Sequence, residues 1–220
     1  MLNRNLASSK SNVNAFLLCV FLGAFGFHRF YVGKYFTAFI QFFTFGGFLI
    51  WYLIDAIAIL REDFTDNNNL LLKWDRDREG QYAGFKIRLV AHIIDTIIIT
   101  SACFLVFAII IAPMSLYISN NFIFLLMELE EFIRIAMSVF YYAILTASTK
   151  QATIGKNIVG IIVVNSNNKA LTLDHSFARC LAYYFSYITL GLGFIMIAFT
   201  RNHRGLHDII AKTYVIYERR

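Results

Sequence analysis

Apolar residues fall into five runs, at 13–27, 35–60, 89–112, 132–147 and 180–199, divided by shorter polar stretches. The longer runs reach the ~20 residues a helix needs to cross hydrocarbon. Only seven mixed residues, HRFYVGK, part the first run from the second, so the two predict a helical hairpin. The opening dozen residues carry Arg4 and Lys10 ahead of the first run, which is also how a secretory signal looks, with Ala24 and Gly26 suiting a cleavage site. The second run following so closely argues for retention in the membrane.

Residues 61–88 change character, interleaving six basic with six acidic side chains, and mark the domain boundary. The pattern predicts a hairpin domain over 1–62, a cytoplasmic linker over 63–81 and a second membrane domain over 82–220. The third run ends beside the sole proline, Pro113, and no Lys or Arg follows until Arg134. Arg134 is spaced to pair with Glu130 or Glu131 on one helix. Between 148 and 179 the texture turns to short β-type stretches: NIVGIIVV, an NSNNK break, then ALTL. With TYVIYE at 213–218 these predict a small three-stranded sheet. The fifth run is interrupted by LGLGF.

Charge decides how the fifth run is placed. If it crosses fully, the five basic residues of 200–220 lie opposite the other basic segments, against the positive-inside tendency. If it enters and returns at Gly191 and Gly193, every strongly basic segment is cytoplasmic and 113–131 is outside. The expected fold is therefore an all-α integral membrane protein with four transmembrane helices, a broken or re-entrant fifth element and a small cytoplasmic three-stranded β-sheet; five full spans is the alternative. The expected place is the bacterial cytoplasmic (inner) membrane, with both termini in the cytoplasm.

Composition agrees. The 220 residues are 58% apolar and 15% charged, against about 45–50% and about 25% for a soluble domain. The net charge of +6 belongs to cytoplasmic flanks, so no nucleic-acid partner is expected. Cys19, Cys103 and Cys180 sit in apolar surroundings without C-x-x-C spacing and read as small hydrophobes.

Two motif sets carry the candidate chemistry. Around the hairpin turn stand GAFGFHRFYVG, a Gly46-Gly47 pair and Trp51-x-x-x-Asp55. This stretch resembles the two-pass transmembrane domain family, in which His28, Arg29 and Phe30 occupy the motif triplet; the resemblance implies no chemical activity. Physically, Arg29 can snorkel to headgroups while Phe30 lies in the aromatic belt, and the glycines let helices approach. Asp55, inside an apolar run, needs a partner, a proton or water.

In the second half, AGFKIRLVAHIID, ATIGKNIVGIIVV and RGLHDIIAKTYVIY occur in order. They resemble the RDD family, and the resemblance assigns its namesake triplet to Arg88, Asp95 and Asp208; Ile154 departs from the proline common there. It implies an integral membrane protein with suspected transport, some members behaving like cation/proton antiporters. Read on their own, Arg88, His92 and Asp95 stand at i, i+4 and i+7, one polar stripe over two helical turns. With Asp55 and the His207-Asp208 turn on the same cytoplasmic side, they predict a protonatable cluster. The competing expectation is a structural ion pair between Arg88 and Asp95 or Asp208.

No hydrolase triad, phosphate loop or metal-ligand set is apparent, so no enzyme activity, cofactor or metal is expected. The leading expectation is transport of a small cation or solute coupled to protons. The other is a membrane adaptor or assembly factor whose buried charges only hold helices together. Partners are the lipid bilayer and a second copy or a membrane subunit.

Overall fold

The computed structural model describes residues 7–74, 81–114, 120–188, 192–200 and 202–218. Contacts divide it into two units, Met1–Glu79 and Gly80–Arg220. It is mostly helical with a two-stranded antiparallel sheet.

In the first unit, Ser11 caps α1 (Asn12–Leu22) by accepting from the Asn14 N–H. A 3-10 turn, Gly23–Phe25, leads to Gly26 in the left-handed region, φ 70°. A Cβ at Gly26 would stand 2.9 Å from the Ala38 carbonyl oxygen, so the turn requires glycine twice over. Then come α2 (Phe27–Tyr31) and α3 (Tyr35–Phe43).

The second apolar run is not one helix. After α3 it passes through the distorted turn α4 (Phe45–Phe48), where Gly46 and Gly47 have φ of 73° and 59°, and restarts as α5 (Ile50–Leu60) beyond Leu49 at φ 68°. Left-handed residues cannot continue the i→i−4 ladder. The glycine pair expected to ease helix contact thus breaks a helix, although Gly23 does let the Tyr52 ring approach to 2.8 Å of where a Cβ would be.

The expected cytoplasmic linker also differs. Its first part folds onto this unit: Phe64, Leu72 and Trp74 are buried, and the Phe16 and Trp74 rings meet edge to face. Three large apolar side chains among the charges outweigh the solvation of their neighbours. Asp66 ties the loop by accepting from the Ser8 hydroxyl and two backbone N–H groups.

The second unit opens with α6 (Phe85–Met114), 30 residues carrying Pro113 in its last turn. Its Phe85–Ile109 portion is, among the described residues, the one helix long and apolar enough to cross a membrane. Next, α7 (Asn120–Ala147) begins well before the expected start at 132. On it Glu131 pairs with Arg134 at i, i+3. The short helix α8 (Ile154–Val159) and strand β1 (Ile161–Asn165) lead to α9 (Leu173–Ile188), α10 (Leu192–Phe199), α11 (Leu206–Ile210) and β2 (Thr213–Tyr217).

The sheet pairs β1 with β2 in the register Ile161↔Tyr217 to Asn165↔Thr213. The third expected strand, ALTL, is absent: Thr172 takes the His175 N–H on its hydroxyl and the Ser176 N–H on its carbonyl, starting α9 instead. In the fifth run, the expected bend at Gly191 lies outside the described residues. Gly193 sits inside α10, where a Cβ would stand 2.7 Å from the Ser186 hydroxyl. All three cysteines are buried and free.

Exposed Phe36, Phe39, Phe43, Ile50, Phe104, Phe132 and Phe140 would face water at high cost. A bilayer removes that cost.

Candidate functional site

In the first unit, Asp55 on α5 is buried and, among the described residues, held from α2. Arg29 gives it two bonds, Nε to Oδ2 and Nη2 to Oδ1, each 2.6 Å, and His28 Nε2 lies 2.8 Å from Oδ2. The Arg29 guanidinium also covers the Trp51 ring at 4.5 Å. Arg29 therefore does not reach for headgroups as expected: a planar fork matched to a carboxylate outweighs solvation at the surface. Phe30 packs edge to face on Phe39. His28, Arg29 and Asp55 form one clamp, Phe30 standing outside it, and among the described residues the hydrogen-bond partners of Asp55 belong to its own unit.

In the second unit, the stripe of α6 is present but its members take separate partners. Asp95, fully buried, accepts from the Tyr141 hydroxyl and Gly155 N–H on Oδ1 and from the Thr153 hydroxyl on Oδ2, at 2.6, 2.7 and 2.6 Å. Thr153 is the N-cap of α8 and accepts from the Lys156 N–H while donating to Asp95. Asp95 thus satisfies the open N–H end of α8. Gly155 permits this: a Cβ there would lie 2.2 Å from the Ala91 carbonyl oxygen. Ile154, at the first helical position where proline is well accommodated, donates its N–H to Tyr141.

Arg88 goes elsewhere. Its Nη1 reaches Asp208 Oδ2 at 2.5 Å and its Nε the Ala83 carbonyl at 2.9 Å. Asp208, on α11, is also gripped by Arg179 of α9 at 2.7 Å, by the Thr213 hydroxyl at 3.3 Å and by the Gly205 N–H at 3.2 Å. Burial alone would raise the Asp208 carboxyl, but Arg179 and Arg88 overcome it and hold it far below the usual range. Neighbouring His207 is buried against the Tyr183 ring, and burial pushes its imidazole down to about 3. It is neutral at physiological pH. His92 Nδ1 lies 3.2 Å from the Tyr142 hydroxyl.

Within the second unit opens a cavity of about 450 Å³ whose wall includes Arg88, His92, Lys156, Arg179, Tyr142 and His207. The wall also includes Ile99, Ile135, Ile197 and the Glu131–Arg134 pair. Lys156 lies over the Tyr142 ring at 5.9 Å. Burial, then the charge of Arg179, pushes its ammonium down to about 7.

Lys156 and Arg179 are the residues that sequence reasoning passed over. Lys156 belonged to a recognised segment, yet nothing local said that its side chain entered a cavity. Arg179 stood next to an apolar run and looked like a loop charge; because α9 starts at Leu173, it lies within the helix. Among the described residues no group of three metal-binding side chains occurs.

Comparison with known proteins follows the same division. The TM2 domain model matches residues 8–57, and the RDD family model matches residues 82–212. Two Bacillus subtilis (strain 168) proteins, both named only as uncharacterized, are similar. YxaI is 38% identical over 148 residues, covering 62% of this chain and 97% of its own. YckC is 34% identical over 141 residues, covering 61% and 84%. No solved structure matches. With the RDD model spanning more than half of its length, and both models falling on the motifs that build the two clamps, the chain belongs to the RDD family of membrane proteins and carries a TM2 domain ahead of its RDD domain.

Proposed function

We propose that the chain is a multi-pass protein of the bacterial cytoplasmic membrane whose RDD domain binds a small solute in its cavity and carries it across, coupled to protons. The observation that carries this reading is the cavity itself, of ligand size and lined by both charged and apolar side chains.

Topology completes the proposal. Spans within 13–27, 35–60, 89–112 and 132–147, with 180–199 entering and returning, put the basic segments and both termini in the cytoplasm. So few spans call for a second copy or a membrane partner.

The geometry favours other residues for the coupling. Asp95 and Asp208 are saturated with donors, so they serve as anchors for α8 and α11 rather than as proton carriers. Lys156 is the better candidate. The same saturation supports the second reading, a membrane adaptor whose buried charges are purely structural.

The test is flux in proteoliposomes bearing the full chain, with a pH-sensitive dye inside and candidate solutes outside. Solute-dependent proton movement, absent from empty vesicles, is expected. Its absence for cations and anions alike would leave the adaptor reading.

A further inference from the structure

The charges around the cavity do not cancel. Arg134 is matched by Glu131. Arg88 and Arg179 share one carboxylate, Asp208. Asp95 is taken up by three neutral donors. Lys156 therefore faces Arg179 and Cys180 of α9, His92 and Asp95 of α6, Tyr142 of α7 and Asp208 and His207 of α11. Among the described residues no carboxylate lies within ion-pair distance of its ammonium. Arg88 adds a second open valence: its side chain is 9% exposed, yet Nη2 is buried without a hydrogen-bond partner. A buried guanidinium N–H left open is costly unless something accepts from it.

Resting on the reading of this cavity as the ligand site, we infer that its occupant carries an oxyanion head of the phosphate type, held by Arg88 and Lys156 with Arg179 behind them. A guanidinium and an ammonium on one wall suit such a head, because each oxygen accepts a charge-assisted bond. Its body is apolar. A volume of about 450 Å³ exceeds a lone oxyanion, and the rest of the wall includes Ile99, Ile135 and Ile197, its one further ion pair among the described residues, Glu131–Arg134, being matched within itself. The same head is offered by an anionic lipid and by a free organic anion, for whose head sulfate is the simplest stand-in.

Binding takes up a proton. Lys156 is poised near neutrality because burial and Arg179 oppose its charge; an anion beside it favours the charged form and draws a proton from solvent. This supplies the coupling for which the carboxylates are unsuited.

The experiment uses the purified full chain in a neutral maltoside detergent, titrated calorimetrically near neutral pH in two buffers of different ionisation enthalpy. Two probes are compared: sulfate, an oxyanion that does not titrate near neutrality, and dioleoyl phosphatidylglycerol in the micelle, with dioleoyl phosphatidylcholine as the matched lipid. Saturable binding of sulfate or phosphatidylglycerol with proton uptake supports the inference. Saturation by sulfate points to a free anion, and saturation by phosphatidylglycerol alone points to a lipid. Lys156→Gln should bind about tenfold more weakly and take up no proton, whereas Lys156→Arg should restore affinity without the uptake. Equal binding of phosphatidylcholine, no saturation by either anion, or a Lys156→Gln protein indistinguishable from wild type overturns it. Proton-coupled flux of a cation without anion binding would sink this inference and leave transport standing; anion binding without flux would do the reverse.

Discussion

Replacing Asp208 by asparagine should destabilise the protein far more than the same change at Asp95, although both carboxylates are fully buried. At Asp208, Oδ1 faces Arg179 and Thr213 while Oδ2 faces Arg88 and the Gly205 N–H. Whichever way the substituted amide turns, its NH₂ meets an N–H that must donate, and neither guanidinium keeps a counter-charge. The two arginine side chains are only 9% and 8% exposed, so water cannot substitute. Breaking a buried pair of this kind costs about 3–5 kcal/mol. At Asp95, Oδ2 meets only the Thr153 hydroxyl, which can rotate to accept from an amide, while Oδ1 keeps Tyr141 and Gly155. One exchanged hydrogen bond costs about 1 kcal/mol. Thermal unfolding of D208N and D95N in detergent at neutral pH, beside wild type, measures the contrast. An Asp95→Asn protein that melts below Asp208→Asn, or an Asp208→Asn protein that melts with wild type, would refute the assignment of Asp208 as the doubly clamped charge.

Other consequences follow from the same geometry. Gly155→Ala should detach α8 from α6, since its methyl would fall 2.2 Å from the Ala91 oxygen; a loss of at least ~2 kcal/mol is expected in melting, and an unchanged melting temperature would contradict that contact. His207 is held neutral down to about 3 while the unfolded imidazole protonates near 6.5, so the unfolded state binds more protons in that window and stability falls as pH drops through it. A His207→Gln protein should show a shallower acid slope. Lys156, at about 7 when folded against ~10.4 unfolded, gives the same sign at higher pH: stability rises from pH 7 to about 10 in wild type and less so in Lys156→Gln. Single cysteines placed near Arg204 and in 113–131 should label from opposite faces of the membrane; same-side labelling would overturn the re-entrant placement of 180–199.

Which of these features could be read in the sequence depends on how local their causes are. The α6 stripe was legible because helical periodicity fixes neighbours at i+4 and i+7, and those three residues do line one cavity. Their partners were not, because Tyr141, Thr153 and Asp208 arrive from 46 to 120 residues away, and no periodicity encodes such meetings. The first-unit clamp was half visible: Asp55 in an apolar run announced a need, but Arg29 at a helix turn looked equally suited to headgroups. The glycine pair stands out in the sequence without declaring its role, since tight packing and a left-handed break both select glycine. The missing third strand shows the reverse, a β-type tetrapeptide overruled by a capping threonine.

The break at Gly46–Leu49 bears on the lipid as much as on the chain. The straight segments α1 and α5 have 11 residues each, about 16 Å of helical rise, against about 30 Å of hydrocarbon. Arms of that length match little more than one leaflet. Insertion of the TM2 domain would therefore pull the two headgroup planes together around it, a hydrophobic mismatch costing fractions of a kcal/mol per ångström. Thin bilayers relieve that strain, so short-chain lipids should hold this domain more firmly than long-chain ones, and it would gather where the membrane is already thin.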